Sequence, residues 1–300
     1  MKAIIVGLGV QGTKRLKVLG KNCMATVDKL NSKADFRKIT EVNIKDFDTV
    51  FICVPESEKY SVIKYCLKNK KNFLIEKPLN LPNKTINLIN KKLILNKKKG
   101  YVAFNHRFEP NIIKLKSLLK QNIIGKVYSC KIFYGNGTSR LVKKSWRDKK
   151  NGIHIDLGSH IIDMAIYLFG FKNLGNLNKI YENKYENNNS DHILFINKNS
   201  KIKMSFEATY CSWRNKFYIE IIGKKGALYL DNLCKWREST LYFMSRVLPS
   251  GKPLIKTIKF PKGDKTWLAE QKFFEKMIKN KKNKDFLSNI LLNKKLLEIL

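Results

Sequence analysis

The chain has 300 residues, of which 43% are hydrophobic, so it is long enough to bury the cores of about two domains. Its 60 basic residues against 24 acidic ones give a net charge of +36, which raises nucleic acid and anionic membrane as partners. Only eight of the basic residues are Arg, the better side chain for bidentate contacts to phosphate, and the lysines are spread over the whole length. We therefore interpret the charge as compositional and expect no specific nucleic-acid partner.

The start of the chain and its cysteines bear on cellular location. The first residues, MKAIIVGLGVQGTKRLK, have only a short apolar stretch before Lys14 and no small-residue cleavage site, which is not the pattern of a secretory signal. No apolar run reaches the roughly 18 residues of a membrane span. The six cysteines include no C-x-x-C pair, so we expect reduced thiols and no metal site. These features predict a cytoplasmic protein without a membrane partner.

The first hundred residues alternate strand-like and helical patterns. An apolar strand at 2–6 leads into GLGVQG and then a helical stretch. Further strands are predicted at CMATVD, which ends at Asp28, at 48–55, at NFLIEKP and at GYVAFNHRF, with helices between them, the last over 82–98. This alternation predicts a parallel sheet with helices on both faces, a doubly wound Rossmann domain over residues 1–106.

The pattern changes after residue 106. A helix, the strand GKVYSCKIFYG and the apolar helix GIHIDLGSHIIDMAIYLFG come first, and 181–190 is predicted to be the polar tip of a hairpin. Strand-like runs joined by Asn- and Gly-containing turns follow near 191–197, 201–210, 216–222 and 226–231. We expect residues 107–300 to form an α/β domain with an antiparallel sheet and a helix on one face. The helix near 266–280 is expected to return to the first domain.

The sequence GLGVQG has the spacing of a dinucleotide-binding turn. Gly7 permits the tight turn, Gly9 the close approach of a pyrophosphate, and Gly12 the close packing of helix on strand. Val10 and Gln11 open the helix, whose N-terminal N–H groups and dipole favour an anion. We expect all five residues to contact a nicotinamide dinucleotide.

Asp28 lies at the end of the second strand, about 20 residues after the glycines, where a carboxylate accepts hydrogen bonds from adenosine ribose hydroxyls. An acid at this position favours NAD over NADP, since it repels a 2′-phosphate. The neighbouring Lys29 and Lys33 leave NADP open.

The strand FLIEKPLN ends abruptly in charge. In an open parallel sheet, ligands bind beyond the carboxyl ends of the strands, and this places Glu76 and Lys77 on the same edge as Gly7 and Val54-Pro55. A lysine partly desolvated beside a nicotinamide can hold a substrate hydroxyl or exchange a proton with it. The alternative is a solvated ion pair at the strand end.

In HIDLGSHIID, Asp156 and His160 are four residues apart, so on a helix both can face one ligand. Imidazole titrates near neutrality and suits acid–base work on a carbinol oxygen, with a carboxylate to orient it or to bind a neighbouring hydroxyl. Asp163, one turn further, can equally orient the ring. The alternative is structural, with Asp156 as a helix cap and His160 as a buried polar residue.

Together the motifs GLGVQG, EKPL and DLGSHIID, in this order and spacing, resemble the Gfo/Idh/MocA family of glucose-fructose oxidoreductase and inositol dehydrogenase. The resemblance implies an NAD(P)-binding Rossmann domain followed by an α/β domain with an open, mostly antiparallel sheet. It also implies an NAD(P)-dependent dehydrogenase in which Lys77 binds the reacting oxygen, His160 is the acid–base and Asp156 binds substrate or supports His160. Glu76 is expected near the nicotinamide ribose.

Polar and aromatic stretches suggest where a substrate binds. We expect Asn105, His106 and Arg107 to border the cleft, and Arg140 and Arg147 to pair with phosphate or carboxylate. Among these, Asn105, Arg107 and Arg147 are expected to contact a sugar or sugar derivative. The stretches resemble relatives of surface polysaccharide synthesis, which implies a nucleotide sugar as substrate. Alternatively, Arg107 only pairs with Glu109 or Glu76.

Two other functions remain open from the sequence, a catalytically silent dinucleotide-binding regulator and a nucleic-acid binder. The first is disfavoured because all three candidate catalytic residues are present, and the second because no Arg-lined or aromatic stripe is found. We expect a homo-oligomer, a dimer or tetramer, formed through the open sheet.

Overall fold

The computed structural model describes residues 1–280 and 285–299, with side chains described outside 281–290. The chain divides into two compact units. The first comprises Met1–Asn105 and Thr266–Asn293, and the second comprises His106–Lys265 and Lys294–Leu300.

The first unit is built on a five-stranded sheet in which every pairing is parallel. In chain order its strands are β1 (Ala3–Val6), β2 (Cys23–Val27), β3 (Thr49–Ile52), β4 (Asn72–Glu76) and β5 (Gly100–Ala103). Their spatial order is β2-β1-β3-β4-β5, the doubly wound arrangement that the sequence predicts. The strands are nearly continuous apolar runs because helices cover both faces of the sheet.

The helices of this unit present apolar stripes to the sheet. They are α1 (Val10–Leu19), α2 (Glu56–Lys68), α3 (Asn83–Leu95) and, from the far end of the chain, α7 (Thr266–Lys279). Helix α1 packs with α7, and α2 packs with α3. Phe274 of α7 is fully buried, with ring centroids 6.1 Å from Phe51 and 6.0 Å from Tyr101, so α7 is part of the core of this unit.

A buried cluster of charges lies among α1, β4 and α7. The Arg15 side chain is fully buried; its Nε donates to Glu76 Oε1 at 2.7 Å and its Nη2 to Glu270 Oε2 at 2.5 Å. The hydroxyl of Tyr101 donates to the other oxygen of Glu270 at 3.1 Å. The ring of Trp267 lies 4.4 Å from the guanidinium carbon. One cation thus connects the helix after the glycine turn with the end of β4.

The second unit is built on an eight-stranded sheet in which only β6 and β9 pair in parallel. Its spatial order is β13-β12-β11-β10-β6-β9-β8-β7. The strands are β6 (Val127–Gly137), β7 (Asn176–Asn183), β8 (His192–Lys198), β9 (Lys203–Thr209), β10 (Cys211–Gly223), β11 (Gly226–Asp231), β12 (Ser239–Ser245) and β13 (Leu254–Phe260). Helices α4 (Pro110–Lys120) and α6 (Ser159–Phe169) pack on this sheet, and α5 (Ser139–Val142) is a single turn. Helix α8 (Asp285–Leu297) begins in the first unit, and its last residues belong to the second. The fold class is the one predicted.

Several local predictions were wrong. The stretch 181–190 is not all hairpin tip, because β7 continues to Asn183. Strands β7, β12 and β13 were not predicted at all. The sequence of β13, LIKTIKF, mixes lysines into its apolar run because this edge strand is largely exposed, and lysines are common where a sheet edge must avoid further pairing.

Candidate functional site

The glycine turn after β1 has the geometry that a dinucleotide requires. Gly7 has φ of +97°, and a Cβ there would lie 2.6 Å from the carbonyl oxygen of Cys53. A Cβ on Gly12 would lie 1.9 Å from the carbonyl oxygen of Gly7, so both positions exclude a side chain. At Gly9 a Cβ would meet no atom within 4 Å, so the missing side chain leaves open space beside the first turn of α1. The N–H groups of Val10 and Gln11 belong to that turn, which has no intrahelical acceptors for them. These residues fit a pyrophosphate.

Asp28 is connected directly to the glycine turn. Its Oδ2 accepts the N–H of Leu8 at 2.7 Å, and its Oδ1 accepts those of Leu30 and Asn31 at 2.9 and 2.8 Å. Partial burial acts to raise the pKa of Asp28, but these three N–H donors outweigh it and lower the pKa below its ordinary value. A carboxylate has about four acceptor positions, so ionised Asp28 keeps capacity for a ribose hydroxyl.

The carboxyl ends of three neighbouring strands meet at one edge of the first sheet. Val6 is in register with Ile52, and Ile52 with Ile75, so the residues that follow these strands lie side by side. The structure therefore brings the predicted residues Gly7, Val54, Pro55, Glu76 and Lys77 to the same edge of one unit.

The backbone on both sides of Lys77 is held by a buried lysine. The Lys59 ammonium donates to the carbonyl of Glu76 at 2.7 Å and to the carbonyl of Pro78, and it pairs with Glu56 at 2.7 Å. Desolvation lowers the pKa of Lys59, and the Glu56 carboxylate offsets part of that effect. Lys59 was missed from the sequence. The signal is its place on the apolar stripe of α2, where Val62 and Ile63 follow at i+3 and i+4.

The side chain of Glu76 is bound within the first unit, because its Oε1 accepts the Arg15 donor. Asn105, predicted to contact substrate, donates through its side-chain amide to the Thr266 hydroxyl at 2.9 Å.

Asp156 and His160 lie in one helical run of the second unit. A π-helical turn over His154–Gly158 carries Asp156 and leads directly into α6, where His160 is the second residue. Asp156 Oδ2 accepts Arg147 Nε at 2.8 Å and the hydroxyl of Tyr210 at 3.3 Å. Two of the predicted site residues, Asp156 and Arg147, are therefore a direct ion pair.

Arg107 is also paired with an acid, which is one that the sequence did not suggest as its partner. Its guanidinium binds both oxygens of Asp163, at 2.7 Å from Nε to Oδ2 and through Nη2 to Oδ1. Asp163 is nearly fully buried, and both of its oxygens accept hydrogen bonds from Arg107.

The ring of His160 is stacked on that of His106, with centroids 3.9 Å apart and planes 16° from parallel. The ring of Tyr134 lies 5.6 Å from the first and 5.9 Å from the second. Lys235, which sequence reasoning missed, contacts Nε2 of His106 through its ammonium. No spacing in the sequence joins residues 106, 160 and 235, so only the fold reveals this group.

In the part of the chain that the structure describes, no group of three or more His, Cys, Asp or Glu side chains can hold a metal ion. The helices there also include none with the length and apolar character to cross a membrane. All six cysteines are free thiols.

Both parts of the chain match models of one protein family. Residues 1–105 match the Gfo/Idh/MocA model described as an oxidoreductase family, NAD-binding Rossmann fold, and residues 116–240 match its C-terminal alpha/beta domain. The myo-inositol 2-dehydrogenase of Thermotoga maritima is 31% identical over 130 residues, 41% of this chain and 36% of that protein. The chain matches less than half the length of such curated relatives.

Solved structures share the fold over almost the whole chain. A putative NADPH-dependent oxidoreductase from Desulfitobacterium hafniense has a TM-score of 0.83 at 17% identity, covering 98% of this chain and 93% of that one. The UDP-N-acetylglucosamine 3-dehydrogenase of Acidithiobacillus ferrooxidans has a TM-score of 0.81 at 15% identity, covering 99% and 95%. At these identities the likeness concerns the fold alone.

Two family models thus match in order across most of the chain, over the glycine turn, the Glu76-Lys77-Pro78 turn and the helical run of Asp156 and His160. The chain belongs to the Gfo/Idh/MocA family of oxidoreductases, and its first unit is an NAD-binding Rossmann domain.

Proposed function

We propose that this protein transfers a hydride between a nicotinamide dinucleotide and the carbinol or carbonyl carbon of a sugar or sugar derivative. The observation that supports this most is the Glu76-Lys77-Pro78 turn. It follows β4 at the sheet edge that carries the glycine turn, and Lys59 holds its backbone on both sides of Lys77. A solvated ion pair would need no such support.

The residues that would hold the cofactor lie in the first unit. When bound, the nicotinamide ring supplies or accepts the hydride. The first turn of α1 would bind the pyrophosphate, Asp28 the adenosine ribose, and Val54, Pro55 and Glu76 the nicotinamide end. Asp28 repels a 2′-phosphate, so we propose NAD as the preferred cofactor.

Three side chains would act on the substrate. Lys77 binds the reacting oxygen, and its positive charge stabilises negative charge that develops there. His160 takes the hydroxyl proton in oxidation and returns it in reduction. Asp156 accepts a neighbouring substrate hydroxyl or supports His160, while Arg147 and Tyr210 keep its carboxylate in place.

The substrate class is proposed from the relatives and from the charges of the second unit. The relatives named above include dehydrogenases of an inositol and of a nucleotide-linked amino sugar, both with hydroxylated rings. The Arg147 side chain is 40% exposed, so it can pair with Asp156 and still contact a phosphate or hydroxyl of substrate. Arg107 is 16% exposed, and we assign its role to holding Asp163. Asn105 is retained as a substrate contact.

We further propose that a second copy of the chain covers the outer face of the eight-stranded sheet. An aromatic row crosses four strands of this face, with centroids 5.2 to 6.1 Å apart, and consists of Phe133, Tyr218, Tyr229 and Tyr242. Ile222 and Ile255 lie on the same face as this row, because the strand register places them one pair of residues further along their strands. Their side chains are 44% and 53% exposed. Such a face is self-complementary under two-fold symmetry.

Sedimentation equilibrium should give the mass of a dimer or tetramer for the wild type. Tyr229→Lys, which places a charge in the centre of the row, should give a monomer, whereas Tyr185→Lys on an exposed loop should leave the mass unchanged. A monomeric wild type would contradict the proposed interface.

Lys77→Ala should nearly abolish turnover while leaving NADH affinity almost intact, because the lysine acts on the reacting oxygen and the glycine turn holds the cofactor. His160→Ala should lower the rate by about 10² to 10⁴-fold, the usual range for a lost acid–base. Absorbance of NADH, followed over a panel of hexoses, inositols and UDP- and GDP-sugars, measures turnover, and NADH fluorescence measures affinity.

The matched control is Lys84→Ala, which removes an exposed lysine from the same unit. A Lys77→Ala protein with normal turnover of a true substrate would disprove the assignment of Lys77. Tight NADH binding without turnover of any member of the panel would instead favour a silent dinucleotide-binding regulator.

The preference for NADH over NADPH tests whether Asp28 binds the adenosine ribose. Wild-type protein should bind NADH more tightly than NADPH, and Asp28→Asn should narrow the gap, since the amide keeps an acceptor oxygen but no longer repels a 2′-phosphate. Asp46→Asn, an exposed carboxylate elsewhere in the unit, should leave the ratio unchanged. A wild type that prefers NADPH would show that Asp28 does not bind the ribose.

A further inference from the structure

The second unit contains a contiguous group of ionisable side chains that the proposed mechanism uses only in part. His160 stacks on His106, and Nε2 of His106 contacts the ammonium of Lys235. Both rings are buried, 2% exposed for His106 and 8% for His160. The three residues come from different elements: the turn after β5, helix α6 and the loop between β11 and β12.

The contact with Lys235 determines where the proton of His106 lies. A lysine ammonium has three donors and no acceptor, so the ring nitrogen that it meets must accept. Nε2 of His106 therefore carries no proton, and a neutral ring carries its proton on Nδ1. Protonation of His106 would bring two cations together at Nε2.

The stacking of the two rings couples the protonation of His160 to that of His106. Two imidazolium rings in face-to-face contact would repel each other strongly inside a protein, so at most one of the pair becomes charged readily. Because Lys235 keeps His106 neutral, the charged form is available to His160, and a neutral π face lies against it.

We propose that Lys235 is a positioning residue, which acts through His106 to make His160 the ring of this stacked pair that exchanges a proton near neutral pH. The proton arrangement stands on the contacts of the second unit. Its catalytic consequence rests on the proposed function of His160 as acid–base.

The groups around the pair are compatible with this arrangement. Burial raises the pKa of Tyr134, and the Asp156 and Glu109 carboxylates raise it further, so the phenol stays neutral beside both rings. Burial also raises the pKa of Glu109 to about 7, with Lys235 opposing this and Asp264 adding to it. The same unit also carries two ion pairs on either side of His160 in the chain, Asp156 with Arg147 and Asp163 with Arg107.

The alternative is that His106 and Lys235 only fill space against His160. The two explanations differ in the titration of individual histidines, which can be followed one by one because the chain has four. Of the other two, burial lowers the pKa of His154 to about 4, which takes its titration well below neutrality, and single substitution of His154 and His192 assigns their signals.

The experiment is an NMR titration of the histidine Cε1–H signals of the folded protein. It runs from about pH 5.5 to 8.5, the range in which an ordinary imidazole titrates. In the wild type, His160 should titrate and His106 should not. In Lys235→Met, His106 should begin to titrate in this range, and the curve of His160 should change because the two rings then compete for one proton. Lys235→Arg should restore the wild-type pattern, and Lys224→Met, at an exposed turn of the same sheet, should not alter it.

Titration of His106 near neutrality in the wild type would overturn the proposal, and so would Lys235→Met curves that match those of the wild type. Neither outcome needs a substrate. If the variant fails to fold, the titration of the wild type still tests the proposal. Once a substrate is known, Lys235→Met should move the His160 limb of the pH–rate profile in the same direction as its NMR titration and lower kcat more than it changes KM. The predicted titration without any turnover would leave the proton arrangement standing and count against the proposed function.

Discussion

The buried guanidinium of Arg15 is the contact on which the organisation of the first unit depends. It binds Glu76 at the end of β4 and Glu270 on α7, and it comes from the helix that opens at the glycine turn. Removing three charges from water is costly unless each is well paired. Arginine suits this position because its fork serves two carboxylates in fixed directions and its plane stacks on Trp267. Arg15 therefore connects three elements of the first unit: helix α1, the end of β4 and helix α7.

That contact explains why a buried strand ends in an acid, a base and a proline. The side chain of Glu76 accepts a hydrogen bond from Arg15. Lys59, on helix α2, donates to the backbone carbonyls of Glu76 and Pro78. The turn is therefore held by the side chain of Glu76 and by two backbone carbonyls. These contacts on both sides fix the position of the Lys77 backbone. The second unit uses a similar device, since arginine–carboxylate pairs hold Asp156 and Asp163 before and after His160. In both units, cations hold candidate site residues in place: Arg15 and Lys59 are buried, whereas the arginines of the second unit are partly exposed.

Much of this could be predicted from sequence because the signals are local. The glycine spacing, the alternation of strands and helices, and the charged end of FLIEKPLN each lie within a few residues. Strands β12 and β13 escaped prediction because their alternation is weak. β12 alternates buried and half-buried residues only over its first half, and β13 is an exposed edge with lysines inside its apolar run. The partners of Arg107, Arg147 and Lys235 escaped for a different reason. They are 56, 9 and 129 residues distant in the chain, and nothing in the sequence gives a pairing across such separations.

The most direct test of the organising role of Arg15 is hydrogen–deuterium exchange of the backbone amides in Arg15→Lys, which keeps the charge but cannot reach both carboxylates. Exchange should accelerate over residues 72–80 and at the glycine turn, while the sheet of the second unit keeps its wild-type rates. Arg37→Lys makes the same chemical change at an exposed position of the first unit and should leave exchange over residues 72–80 unchanged. Unchanged exchange over residues 72–80 in Arg15→Lys would contradict the claim that this guanidinium holds the strand end that carries Lys77.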